Sequence, residues 1–160
     1  MKKVGCRIYT KIDRPEKSKV ELFRNVPVAN IADSMGRISC MDHAIKNANN
    51  NKLLGIAFTI KVPVGDNLMI HKALDMLQEG DVLIVDRNGA LERSLVGEMM
   101  CTYAQAKGCV GIVVDGVVRD YDGLKELDIA VYSKGYQANG PFKNGPGEIN
   151  VPVSCGGMVV

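Results

Sequence analysis

The sequence predicts an α/β fold in a single domain over residues 1–160, and three observations predict it. Apolar runs at Leu53 to Val62, Val82 to Asp86 and Cys109 to Val114 have the continuous character of strands buried on both faces. Between them lie apolar residues at helical spacing, most clearly Leu95, Val96, Met99, Met100, Tyr103 and Ala104. The two kinds of segment alternate through the middle of the chain, which is the pattern of strand–helix–strand units. At 160 residues the chain is long enough to bury a real core.

Each element has a local reason. Glu21 to Met35 carries Leu22, Phe23, Val26, Val28, Ile31 and Met35 and is split by Pro27, which predicts two short helices. Asn49 to Lys52 is a polar loop, and the strand after it ends at Pro63 and Gly65. Asp66 is the expected N-cap of a helix from Asn67 to Leu77, closed by Gly80. Gly108 ends the helix that carries Leu95 to Ala104. Gly123 to Leu127 reads as a short helix and Ile129 to Tyr132 as a strand. Residues 134–150, rich in Gly, Asn and Pro, read as a long loop. Val151 to Cys155 and Met158 to Val160 read as closing strands.

Composition narrows the function classes. The net charge is +2 with scattered Lys and Arg, aromatic content is 5% and there is no Trp, so neither nucleic acid nor a membrane surface is an expected partner. No apolar run reaches membrane-spanning length, and Met1-Lys-Lys-Val4 is not followed by a signal-peptide core, so a cytoplasmic location is expected. The five cysteines contain no Cys-x-x-Cys pair and read as buried thiols in a reducing compartment. His43 and His71 lack ligand spacing to them, which argues against zinc. No Gly-x-Gly-x-x-Gly follows a strand and no Walker loop is present, so nothing supports nucleotide binding.

The chemistry-bearing stretch is Gly111-Ile-Val-Val-Asp-Gly-Val-Val-Arg-Asp120. A buried strand ends in Asp-Gly, and a cation and an anion follow side by side. Arg119 offers a fork for an anionic oxygen and Asp120 a hard oxygen for a magnesium-type ion, which takes few protein carboxylates. The alternative is that Asp120 only caps the next helix and Arg119 is a solvated neighbour.

Glu98 follows Gly97 and is either a solvent-facing helix residue or an acid at a helix start. In the second case the amides of Met99 and Met100 point into a site and bind a carboxylate. That reading fails if the helix begins near Leu91 or Glu92, or if Ser94 caps it. Pro63-Val-Gly-Asp-Asn67 is a turn and cap whose Asn67 can also reach a ligand. His71, one turn on, is more often a satisfied histidine than a catalytic one.

Pro-Val-Gly-Asp-Asn-Leu-Met-Ile-His, Glu-Gly-Asp-Val-Leu-Ile-Val-Asp, Gly-Glu-Met-Met, the Arg119-Asp120 stretch and Gly-Glu-Ile-Asn-Val-Pro-Val-Ser-Cys-Gly-Gly occur in that order. From about Val20 onward the chain resembles the family that joins the regulator of ribonuclease E activity A to the class II 4-hydroxy-4-methyl-2-oxoglutarate/4-carboxy-4-hydroxy-2-oxoadipate aldolases. Its most specific part is an acid, twenty residues, then Arg-Asp.

The resemblance implies a layered sandwich of the swivelling (phosphohistidine-like) domain type, with a central mixed sheet and flanking helices, assembled as homotrimers or hexamers. It implies a lyase that depends on a divalent metal ion, Mg2+ or Mn2+, and releases pyruvate from a small 2-oxo acid, with oxaloacetate decarboxylase activity. Carried over, Arg119 binds the 2-oxo acid and steadies the developing enolate, Asp120 ligates the metal, and Glu98 holds the water that moves the proton. The Met99 and Met100 amides, after Gly97, bind the carboxylate, and Asn67 lines the pocket.

Two departures stand out. Glu98 replaces the aldolases' usual Asp, and the chain stops at Met158-Val-Val160 where relatives continue into further strands. The rival function is a non-catalytic regulator that docks on a ribonuclease. Asp120 favours the enzyme, because the regulators lack that acid.

Overall fold

A computed structural model describes residues 5–160; Met1 to Val4, where a leader was sought, lie outside the described residues. Six strands form one mixed sheet, in the order β1 (Lys46–Asn47), β5 (Ala130–Ser133), β4 (Gly111–Val114), β3 (Asp81–Asp86), β2 (Ile56–Lys61), β6 (Glu148–Ile149). The four central strands run parallel, and β1 and β6 add antiparallel edges. All six residues of β3 are buried, as a central strand covered on both faces requires.

Side-chain alternation sorts the core into two layers. Phe58, Ile60, Leu83, Val85, Ile112 and Val114 face helices α3 (Leu68–Leu74) and α4 (Glu98–Ala106), which deliver Ile70, Ala73, Cys101 and Ala104. Val82, Ile84 and Val113 face the opposite way, against Val151, Val153 and Cys155. The hairpin of β7 (Ser154–Cys155) and β8 (Met158–Val159) is tied to the sheet by two buried acids at its strand ends. Asp86 accepts from the Ser154 amide at 3.2 Å and Asp115 from the Gly156 amide at 3.0 Å, with the Lys134 ammonium 2.6 Å from Asp115.

Several expectations are corrected. β2, β4 and α3 are shorter than the segments expected for them, whereas β3 covers its whole run and starts one residue earlier, at Asp81. Only one of the two helices expected from Glu21 to Met35 forms inside that stretch, α2 (Val28–Ser34); the other, α1 (Lys17–Glu21), lies earlier. The expected loop 134–150 contains β6, which pairs with β2 and so extends the sheet. α5 is Tyr121–Lys125 rather than Gly123 to Leu127. The cysteines also split: Cys101, Cys109 and Cys155 are buried, but Cys6 and Cys40 are exposed.

Burial, more than the neighbouring Cys109 and Asp120, pushes the Cys101 thiol up to about 12. Burial does the same for Cys155, with Asp115 and Asp86 adding to it. A disulfide-exchange reagent at pH 8 is therefore expected to modify two thiols of the native protein quickly and the other three only on unfolding. Five fast thiols in folded protein would contradict this packing.

Candidate active site

The strand-end segments build a corner. After β4 the chain runs through Asp115 and Gly116, and residues 117–119 pair with the segment that leads into α4. The Leu95 amide donates to the Val117 carbonyl at 3.2 Å and the Arg119 amide to the Val96 carbonyl at 3.0 Å. This sets Arg119 and Asp120 against Gly97. Asp120 adopts the left-handed conformation (φ 60°, ψ 46°) and turns the chain into α5. Asp is one of the few non-glycine residues that visit this conformation routinely.

The capping alternative is half correct. Asp120 occupies the N-cap position of α5, yet its carboxylate makes no capping bond there. Its Oδ2 instead accepts from the Glu98 amide at 3.2 Å, at the start of α4, and lies 3.4 Å from Arg119 Nε. The carboxylate thus sits at the positive end of a neighbouring helix.

α4 begins at Glu98 with Gly97 as its N-cap, so it starts neither at Leu91 nor at Glu92. Ser94 does not cap it; the hydroxyl donates to the Asn139 carbonyl at 2.9 Å. The Met99 amide is left without a protein acceptor among the described residues, whereas the Met100 amide donates to the Gly97 carbonyl at 3.1 Å. Of the two amides expected to face a ligand, one is already engaged.

A cleft of about 40 Å³ opens here, lined by Asn67, Gly97, Met99, Met100, Arg119 and Asp120 among others. It gathers every predicted site residue except the Glu98 side chain. That carboxylate lies over α5, where a Cβ added to Gly123 would meet its Oε2 at 2.1 Å. His71 lines a separate cleft with Asp75, Met99 and Tyr103, and burial holds its pKa below the usual value. Sequence reasoning missed Ser94 and Pro141, which complete the wall. Both depend on the 139–142 segment folding back, a non-local contact with no signature in either stretch.

The donor set bears on a metal. Among the described residues no three His, Cys, Asp or Glu side chains converge on a point. Asp120 is 42% exposed by side chain, and neither its hydrogen bond nor its ion pair uses Oδ1. A single carboxylate with one oxygen unused by these contacts suits an ion of the magnesium type, which keeps several waters, and does not suit a closed four-ligand site.

The family model RraA-like, described as Aldolase/RraA, matches residues 28–160. The chain belongs to this RraA-like family. A Halalkalibacterium halodurans protein named "Putative 4-hydroxy-4-methyl-2-oxoglutarate aldolase" is 35% identical over 139 residues, 86% of this chain and 66% of its own. An Arabidopsis thaliana protein of the same name, numbered 3, is 39% identical over 106 residues, 66% of this chain and 63% of its own. The chain therefore spans less than two thirds of the length of these curated relatives. The Thermus RNA-processing inhibitor RraA superposes with a TM-score of 0.78 at 28% identity, over 85% of this chain and 83% of that one. The mixed α/β fold is that of its RraA-like neighbours.

Proposed function

We propose that this chain is a divalent-metal-dependent lyase that cleaves a carbon–carbon bond in a 2-oxo acid to release pyruvate, with 4-hydroxy-4-methyl-2-oxoglutarate and oxaloacetate as candidate substrates. The observation that carries the reading is the juxtaposition of Asp120, Arg119 and the Met99 amide around one cleft. The relatives' aldolase names support it.

The roles follow from the chemistry each group can perform. The Met99 amide and the α4 dipole attract the 2-oxo acid's carboxylate. The Arg119 guanidinium donates to the 2-oxo oxygen, where negative charge accumulates as the bond breaks. Asp120 is the residue that would hold Mg2+ or Mn2+, and such an ion supplies Lewis-acid polarisation of the carbonyl. Glu98 orients the water that takes or returns the proton. In its present rotamer the carboxylate rests on Gly123, so this role requires the exposed side chain to swing toward the cleft. Asn67 contributes from the floor.

We further assign the fold to the swivelling-domain type and the assembly to a homotrimer or hexamer, with a cytoplasmic location. No helix among the described residues is long and apolar enough to cross a membrane.

The second reading is a ribonuclease regulator, favoured by the likeness to the Thermus inhibitor. Asp120 favours the first reading, since its carboxylate offers an oxygen that could hold the ion. The test is pyruvate release from oxaloacetate and from 4-hydroxy-4-methyl-2-oxoglutarate, with magnesium and with chelator. Release that chelator stops is the expected result. Folded protein that releases none from either substrate would sink the lyase and leave the regulator.

A further inference from the structure

We infer that the edge of the sheet beside β6 is a docking groove for the N-terminal arm, residues 5–17, and that its occupant in the assembled protein is the arm of a second copy. The inference does not depend on the lyase reading. β6 is the last strand of the sheet, and such an edge accepts a further strand. The arm fills it. The Ile149 amide donates to the Arg7 carbonyl at 2.9 Å and the Tyr9 amide to the Ile149 carbonyl at 3.1 Å, which makes Ile8 a parallel partner of Ile149. The Asn150 side-chain amide donates to the Tyr9 carbonyl at 2.8 Å. Further along the arm, Ile12 packs half-buried against the core.

Three cations of the arm meet three carboxylates of the body. Arg7 bonds to Glu148 through two nitrogens, Nη2 lying 3.1 Å from Oε2. Arg14 forks onto Asp81, with Nε 3.0 Å from Oδ1 and Nη2 2.9 Å from Oδ2. Lys17 Nζ lies 3.1 Å from Glu79 Oε1. Glu148 is 5% exposed and Asp81 0%, so an empty groove would leave two buried acids without their cations. Such a groove stays filled by a basic extended segment, and the contacts are the same whichever chain supplies it.

The tether favours a second copy. Residues 18–40 join the arm to the body, and not one of them is buried. Neither α1 nor α2 buries a residue, and Leu22, Phe23, Val28, Met35 and Ile38 are each at least 50% exposed. So much bare apolar surface on one segment marks a contact with another chain. Even with α1 and α2 intact the tether can span roughly 50 Å, against a diameter of about 40 Å for a domain of this length. It can therefore carry the arm to a neighbour. Seating the arm on its own chain leaves these side chains bare. Reciprocal exchange draws two tethers past each other and lets their apolar faces meet. That contact offsets the high effective concentration that favours the chain's own arm.

The test is carbodiimide coupling of the full, unsubstituted chain, which joins Lys17 to Glu79 wherever the two touch. The products are separated by size in denaturant, and peptides carrying the Lys17–Glu79 bond are quantified in each band by mass spectrometry. Exchange predicts that the bond lies in bands of two or more chains and is scarce in the single-chain band. A bond concentrated in the single-chain band, or found in no band, would overturn the inference. Arg14→Ala, which loosens the arm, should reduce the bond in every band. A bond that persists unchanged there would show that the arm is not held through Asp81, and the groove would fall with it. Should that variant fail to fold, the unsubstituted chain decides. A ring of three or six copies whose arms stay at home gives the single-chain result, so assembly and exchange are read apart.

Discussion

Asp120→Asn is expected to abolish metal-dependent pyruvate release while leaving the protein as stable as before. The substitution is nearly isosteric, and Asn is at home in the left-handed conformation that residue 120 adopts. Its side-chain oxygen can still accept from the Glu98 amide, so the start of α4 stays capped. What disappears is the charge that would hold a divalent ion. Losing that ion's transition-state stabilisation is worth about 4 kcal/mol, roughly a thousandfold in rate.

Asp120→Ala should lose as much activity but also stability, about 1 kcal/mol, because the Glu98 amide at the start of α4 loses its acceptor. Arg119→Ala should match the Asn variant in fold and in loss, since Arg119 is 45% exposed by side chain and carries no core packing. Initial rates and thermal melts of the three proteins make the test. Wild-type turnover in Asp120→Asn or Arg119→Ala would show that the site has been misplaced.

The legible part of the molecule was the part written locally. β3 and β4 were visible as continuous apolar runs because both faces of each are covered. Gly108, at φ 82°, marked the end of α4, where a backbone in that region favours glycine. Arg119, Asp120, Gly97, Met99 and Asn67 were all named from sequence and do meet at one cleft.

What stayed hidden was set by distant partners. β6 is two residues long and exists only because Ile60 and Lys61 lie beside it. The direction of the Glu98 carboxylate depends on Gly123, twenty-five positions away, leaving room for it. Asp120 looked like a cap for its own helix, which is the commoner arrangement. Only the pairing of residues 95–97 with 117–119 shows that it caps another. The engaged Met100 amide was beyond sequence reasoning for a similar reason, since a tight first turn is a matter of geometry.

Gly97→Ala should be nearly as damaging to activity as the loss of Asp120, although it removes no functional group. Gly97 has φ −139° and ψ −173°, an extended conformation any residue can take, so backbone strain does not explain a glycine here. Space does. A Cβ at this position would lie 2.3 Å from Asp120 Oδ2, 3.0 Å from Arg119 Cγ and 3.1 Å from Arg119 Nε. No real Cβ tolerates the first of these, so the carboxylate must leave the Glu98 amide and the guanidinium must shift with it. Displacing catalytic groups by about 1 Å can cost on the order of a hundredfold in rate.

Gly123→Ala is the matched control. Its Cβ would collide with Glu98 Oε2 at 2.1 Å, but that is the free end of an exposed side chain, which can move away. A methyl at 123 should therefore leave the metal dependence of the reaction intact, whereas a methyl at 97 should raise the magnesium concentration needed for half-maximal rate. Both proteins should keep the far-UV dichroism of the parent. If Gly97→Ala turns over like the parent with unchanged magnesium dependence, then Asp120 and Arg119 do not act from the positions they occupy here, and the active site lies elsewhere.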